Sequence, residues 1–317
     1  MKTLKIGNTL VGDDQPGFVV AELGINHNGK IELAKKLIDA AAEVGCSAVK
    51  FQKRTIPVVY SAEELAKPRE VPADIVVAAI NRGVLISDAV ARLTASNLQE
   101  TTNGDLKWAL EFTAAEYGEI DRYCKEKRIL WFASPWDEES VDFLESFGPP
   151  AYKIASASLT DDDLLRHIRS KGRPVILSTG MSTLEEIDHA VDILGTDRVI
   201  ILHCVSTYPA DLEHLNLSVI PKLRERYGVP IGYSGHERGI YTSLAAVAHG
   251  ACMVERHFTL DRAMWGSDQA ASVEPKGMRL LVSEIRNYER ARGDGVKKVL
   301  EAEMPILKKL RRKGAKL

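Results

Sequence analysis

Short runs of apolar and β-branched residues alternate along this chain with longer stretches in which apolar positions recur every three to four residues. The runs predict eight strands, at Phe18–Ile25, Ala48–Gln52, Leu130–Ser134, Tyr152–Ala155, Val175–Thr179, Val199–Val205, Ile231–Ser234 and Ala251–His257. Between them the helical spacing predicts amphipathic helices at Ile31–Val44, Ala114–Lys127, Asp161–Ser170, Leu184–Leu194 and Gly239–His249. Runs apolar on both faces, each followed by a helix, imply parallel strands covered on both sides. Eight such units in about 250 residues are the content of an α/β protein of the (β/α)8 TIM-barrel class. A doubly wound open sheet is the alternative, and the lack of a GxGxxG turn after the first strand weakens it.

Three stretches depart from the rhythm. Lys5-Ile6-Gly7 and Phe18-Val19-Val20, separated by Gly12-Asp13-Asp14, read as a short N-terminal hairpin. Residues 55–106 hold Pro57, Pro68 and Pro72, an apolar helical segment near Ile75–Ile80 and a polar stretch Ser96–Gly104. This is too long for one barrel helix and reads as an insertion after strand two, on the active-site face. After strand eight, Pro275–Arg290 has helical spacing and Gly293-Asp294-Gly295 breaks it. Residues 1–298 are thus read as the barrel unit and 299–317 as a basic tail carrying Lys308, Lys309, Arg311, Arg312, Lys313 and Lys316. With no aromatic residues interleaved, that tail reads as a solvated chain end rather than a nucleic-acid or membrane anchor.

Composition narrows the function classes. The 317 residues carry 42 basic and 44 acidic side chains, so no overall field favours nucleic acid or a membrane surface. No window approaches the roughly 18 apolar residues of a membrane span, and Met1 to Leu10 does not resemble a secretory signal. Cys46, Cys124, Cys204 and Cys252 are scattered without a CxxC pair, the pattern of reduced thiols in a cytoplasmic protein. Cys204 beside His203 is a formal nucleophile candidate, but its apolar strand favours packing.

The chemistry is concentrated at the strand ends, where barrel enzymes carry theirs. Glu22 ends strand one; Lys50 and Gln52 end strand two; Ser134, Lys153 with Ser156, and Ser178 follow on strands three to five. Strand six leads into Ser206 and Tyr208, strand seven ends in Ser234-Gly235-His236, and strand eight delivers Glu255-Arg256-His257 with Asp268 behind it. Glu22, Lys50, Lys153, His203 and Glu255 lie inside apolar strands, where an unpaired charge costs several kcal/mol, so they are expected to pair with one another or with a ligand. Two lysines and several serines suit a phosphorylated acid. Ser182 and Glu185 form a capping-box pattern at a helix start that adds anion affinity. His236 and His257, at the ends of neighbouring strands, can converge; with Glu22 or Asp268 they would suit Mn, Mg, Co or Zn.

Taken in order, these segments resemble the sialic acid synthase family, which makes nonulosonic acids from phosphoenolpyruvate. The resemblance runs from about Gly17 to Lys298. It rests on Ala21–Gly29, Val49-Lys50-Phe51-Gln52, Tyr152–Ser156, Leu177–Met181, Leu202-His203-Cys204, Gly232–His236, Glu255–Phe258 and Gly266-Ser267-Asp268. It implies His236 and His257 as ligands of a divalent metal, Mn or Mg. It implies Lys50, Ser134, Lys153, Ser156, Ser178, Ser206 and Ser234 as the phosphoenolpyruvate site, with serine at 206 where many members carry asparagine. Gln52, Tyr208 and Asp268 would hold an open-chain aldose such as N-acetylmannosamine, and Glu22 with Asp268 would move protons. A dimer is implied. Members usually continue into an antifreeze-like domain whose arginine reaches the partner's sugar; this chain is expected to lack it, and the 55–106 insertion is the expected source of substitute contacts. Synthases of legionaminate, pseudaminate or spore-coat sugars share the pattern. An inactive sugar-binding homologue and a metal-dependent isomerase or aldolase are the readings from other classes.

Overall fold

The computed structural model describes residues 2–313. A hairpin of β1 (Thr3–Ile6) and β2 (Thr9–Gly12) precedes eight parallel strands: β3 (Phe18–Gly24), β4 (Ala48–Lys53), β5 (Leu130–Pro135), β6 (Tyr152–Ile154), β7 (Val175–Ser178), β8 (Val199–Cys204), β9 (Ile231–Gly235) and β10 (Met253–His257). Their hydrogen-bonded order is β5-β4-β3-β10-β9-β8-β7-β6. The two end strands, β5 and β6, lie against each other, which nearly closes the barrel. The outer layer is built from α1 (Ile31–Glu43), then α7 (Ala114–Lys127), α8 (Glu138–Glu145), α9 (Asp162–Ser170), α10 (Leu184–Leu194), α11 (Val219–Tyr227), α12 (Tyr241–Ala248) and α13 (Pro275–Ala291). Strand and helix bounds fall within two residues of those the apolar pattern predicts, and the open doubly wound sheet is not what forms.

The hairpin is not the one expected. Thr9–Gly12, not Phe18-Val19-Val20, pairs with the first strand, because Gly7 at φ 57° allows a tight turn that registers Ile6 with Thr9. Phe18 instead opens the barrel. Ile6 and Val11 pack with Phe18, Val20, Phe132 and Met253 and so plug the barrel's lower end.

Period-two alternation in each strand sorts the side chains. Val19, Ala21 and Leu23 face the helices, whereas Phe18 and Val20 fill the barrel and Glu22 follows them at its upper end. The same alternation sends Met253, Glu255 and His257 inward and Arg256 outward, where Arg256 is fully buried against Glu237 at 2.9 Å. His203 also turns outward and bonds the Leu215 carbonyl at 2.7 Å. The expectation that His203 belongs to the polar layer is therefore corrected.

Between β4 and α7 the chain makes α2 (Ile56–Val59), α3 (Ala62–Ala66), α4 (Ala73–Arg82), α5 (Ser87–Ala95) and α6 (Asn103–Leu110). These share a small core of their own, with Ile75, Val76, Leu93, Leu106 and Leu110 buried in it. The excursion runs past 106 because Thr102 and Asp105 form a capping box that starts α6 inside the polar stretch. A second cap also differs: Thr183 with Glu186, not Ser182 with Glu185, starts α10, since Thr183 is the last extended residue before the helix. Beyond α13, α14 (Met304–Leu310) is exposed, and Lys316 of the basic tail lies outside the described residues. Among the described residues no helix is long and apolar enough to cross a membrane.

Candidate active site

Every residue that the family resemblance places at the site lines one cavity of about 570 Å³ at the upper end of the barrel: Glu22, Lys50, Gln52, Ser134, Lys153, Ser156, Ser178, Ser206, Tyr208, Ser234, His236, His257 and Asp268. A larger cavity of about 920 Å³ opens between α10 and α11, but it contains none of the layer's lysines or glutamates. The chemistry lies in the smaller one.

The floor is an ion-paired layer. Lys50 Nζ stands 3.0 Å from Glu22 Oε2 and 3.3 Å from Glu255 Oε1, and Lys153 Nζ is 3.6 Å from the same Glu255 oxygen. Lys50 also donates to Ser134 Oγ at 3.3 Å, Ser234 donates to Glu255 Oε1 at 3.2 Å, and Gln52 donates to Glu22 Oε1 at 2.8 Å. Two cations thus face two anions, all buried. Sequence reasoning placed Glu255 in the polar layer but gave it no role, although it is the carboxylate both lysines share. The register between β3 and β4 shifts between Glu22 and Gly24, and such a bulge re-aims a side chain. Gly24 is at φ 47°, and a Cβ there would press on Glu22 Oε1 at 2.9 Å.

The layer separates its titrations. Burial raises the Glu22 carboxyl above its usual range, with Lys50 pulling the other way. Burial also acts to raise Glu255, but Lys153 and Lys50 outweigh it and hold that carboxyl at about 2. Burial lowers Lys153, whereas Lys50, buried between two carboxylates, is raised by them. A raised and a depressed carboxyl side by side are the signature of groups with different proton duties.

Hydroxyls continue around the wall. Ser156 Oγ accepts from Gly180 N at 3.0 Å, and a Cβ at Gly180 would collide with the Ser206 and Ser156 hydroxyls. Ser178 Oγ and Glu255 Oε2 are buried with no hydrogen-bond partner, which leaves acceptor and donor capacity for a ligand.

Opposite stand the histidines, ring centres 5.4 Å apart. His236 Nδ1 donates to the Val205 carbonyl at 2.7 Å, which fixes the tautomer and leaves Nε2 with its lone pair. Burial lowers His257 to about 4 against the pull of Asp268, so its imidazole is neutral. Its Nδ1 is buried without a hydrogen bond and lies 3.6 Å from Asp268 Oδ2. Tyr208 packs over His236 at 4.1 Å. Burial acts to lower His236, but the Cys204 sulfur 3.8 Å from its Nδ1 and the Val205 carbonyl outweigh it and raise that imidazole. The Nε2 of His236 and the unbonded nitrogen of His257 are the donors a divalent ion would take. No third His, Cys, Asp or Glu among the described residues joins them in a metal-sized cluster, so the remaining ligands would be oxygens of substrate and water.

Four further residues line the outer half of the cavity: Arg54, which the end of strand two delivers beside Gln52 and which was given no role, and Tyr60, Lys107 and Trp136, which carried no signal in the strand-end reading. Glu111 accepts from Lys53 Nζ, from Arg54 N and from Arg54 Nη1 at 3.3, 3.2 and 3.3 Å. Asp137 takes Thr55 N and Oγ1 at 2.7 and 2.8 Å. These bonds set the path by which the chain leaves β4 for the rim.

The sequence model of the NeuB family matches residues 37–297. The chain is 36% identical over 295 residues to an N,N'-diacetyllegionaminic acid synthase of Campylobacter jejuni, covering 90% of this chain and 80% of that one. It is 35% identical over 303 residues to the N-acetylneuraminate-9-phosphate synthase of Homo sapiens, covering 95% and 78%. The crystal structure of an N-acetylneuraminic acid synthetase from Leptospira borgpetersenii superposes with a TM-score of 0.76 at 32% identity, covering 98% of both chains.

Proposed function

The chain belongs to the NeuB family, and from that premise we propose that it condenses phosphoenolpyruvate with an open-chain N-acetylhexosamine, giving a nonulosonic acid and phosphate. The observation that carries this reading is the juxtaposition, in one cavity, of a lysine–serine layer with two adjacent histidines. The overall change forms one bond between C3 of phosphoenolpyruvate and C1 of the aldose. Water adds at C2, the C2–O bond breaks, and phosphate departs with the bridging oxygen.

Lys50 and Lys153 bind the phosphate and carboxylate of phosphoenolpyruvate, turning from Glu22 and Glu255 towards the ligand. Ser134, Ser156, Ser178, Ser206 and Ser234 supply neutral donors around it. Glu255 keeps the two lysines charged and parallel, as its depressed carboxyl allows. Glu22, more basic than an ordinary carboxylate and aimed by Gln52, takes the proton of the water that adds at C2. Gln52, Tyr208 and Asp268 orient the aldose, and Asp268 also steadies His257. A divalent ion, Mn or Mg, held by His236 and His257, supplies Lewis-acid polarisation of the aldehyde when bound.

The test is phosphate release from phosphoenolpyruvate with Mn and a panel of aldoses that includes N-acetylmannosamine and the precursors of legionaminate-type and pseudaminate-type acids. Aldose-dependent release is expected. Release without sugar, or with none of the panel, overturns the reading. His236→Ala is expected to abolish metal-dependent turnover and to weaken Mn binding in calorimetry by about a hundredfold or more. Unaltered Mn binding would remove His236 from the ligand set.

A further inference from the structure

The outer half of the cavity has a charge character of its own. Lys107, on α6, and Tyr60, at the end of α2, reach it from the excursion, with Lys107 Nζ 4.8 Å from the centre of the Tyr60 ring. Among the described residues Lys107 makes no salt bridge and no side-chain hydrogen bond, although it is only partly exposed. Burial first, then Arg54 and Arg69, push its ammonium down to about 8, with Asp268 across the mouth and Glu64 opposing. Arg54 stacks on Trp136 at 4.6 Å, its Nε is buried without a partner, and so is Trp136 Nε1. Glu111, the carboxylate nearest to Arg54, is already shared with Lys53. This end of the cavity therefore carries excess positive charge and unused N–H donors, whereas the floor is balanced.

Resting on the synthase reading above, we infer that Lys107 and Arg54 form a second anion subsite, one that receives a phosphate ester on the end of the aldose remote from its aldehyde. The aldehyde lies at His236 and His257, and the chain of the sugar extends along the cavity towards the rim. An ammonium without a counter-ion, beside a guanidinium placed over an indole, is a site built for an acceptor-rich dianion. A neutral hydroxymethyl group would leave Lys107 without a counter-ion in a half-buried place and Arg54 with only the carboxylate it shares with Lys53. The substrate class this selects is an N-acetylhexosamine phosphate rather than the free sugar. The reaction that supplies it must then end in a phosphorylated aldose, by phosphoryl transfer or by epimerisation of a phosphorylated precursor.

The experiment compares kcat/KM for N-acetylmannosamine and for its 6-phosphate, with phosphoenolpyruvate and Mn, in the full chain and in Lys107→Met and Lys107→Arg. The full chain is expected to prefer the phosphorylated aldose by about ten- to a hundredfold, the worth of a charge-assisted bond. Lys107→Met is expected to remove most of that preference through the aldose KM, and Lys107→Arg to keep it. Turnover of the free sugar at equal or greater efficiency sinks the subsite and leaves the synthase reading standing. Preference that survives in Lys107→Met also sinks it. Turnover of neither aldose, nor of any other in the panel, sinks both.

Discussion

The floor and the rim of one cavity treat their lysines in opposite ways. Lys50 is fully buried, which alone would lower it, yet Glu22 and Glu255 raise it above its usual value. Lys107 is less buried, has no carboxylate in contact, and is lowered to about 8. The floor is drawn from the barrel strands, which deliver cations and anions in equal number at fixed spacing. The rim comes from a helical excursion with a separate small core. A balanced layer persists without ligand and exchanges partners when an anion arrives, whereas an unbalanced rim has charge to spare and takes its counter-ion from the substrate. The difference assigns chemistry to the floor and selection to the rim.

The largest effect is expected where the balance is broken outright. Lys50→Met leaves Glu22 and Glu255 buried without the cation they share, a loss of about 3–5 kcal/mol in urea unfolding. Turnover is expected to fall by about a hundredfold or more, as when an anion-stabilising donor is removed. A variant that keeps both stability and activity would show that the floor's pairing is incidental.

The next test separates the two carboxylates. Glu255 lies at about 2, below its ordinary 4.5, so its contribution to stability is present above the ordinary value and is lost as pH falls from 4.5 towards 2. The gap corresponds to something on the order of 3 kcal/mol. Glu22 is raised, so its ionisation has the opposite sign: stability is greatest below the ordinary value and declines as pH rises through its folded value. Glu255→Gln is therefore expected to destabilise strongly at pH 7 and progressively less in acid, and Glu22→Gln to cost little stability at pH 7 while abolishing turnover. Thermal unfolding across pH reads both, and equal costs for the two at neutral pH would erase the distinction between them.

That floor was legible in the sequence because strand periodicity fixes its geometry. Once Phe18, Val20 and Glu22 share one face, and Met253, Glu255 and His257 another, the ion pairs follow from the parallel register that sets Glu22 beside both Lys50 and His257. The same rule explains the misplacements: His203 and Arg256 sit one position off the inward face and turn away. It does not extend to the hairpin, where a tight turn at Gly7 outcompeted the longer connection to Phe18. Nor does it extend to the rim. Lys107 lies on a helix whose start, at Thr102, is hidden in a polar stretch, and nothing in its spacing relates it to Arg54 or Trp136. Only tertiary placement of the excursion brings them together.

The smallest expected effect tests whether rim and floor are separable at all. Arg82, at the end of α4, donates from Nη1 to the Ala109 carbonyl at 2.8 Å, from Nη2 to the Glu111 carbonyl at 2.6 Å, and from Nε to Glu116 at 2.7 Å. It therefore ties the last turn of α6, which carries Lys107, to α7 of the barrel without touching the cavity. Arg82→Met leaves those carbonyls unpaired and loosens the excursion by about 1–3 kcal/mol, while the main core lies elsewhere. The outcome expected is faster proteolysis within 96–102 and an aldose KM raised by about threefold, with the KM for phosphoenolpyruvate unmoved. If the two KM values rise together, the excursion props up the floor as well, and the division between chemistry and selection fails at its weakest joint.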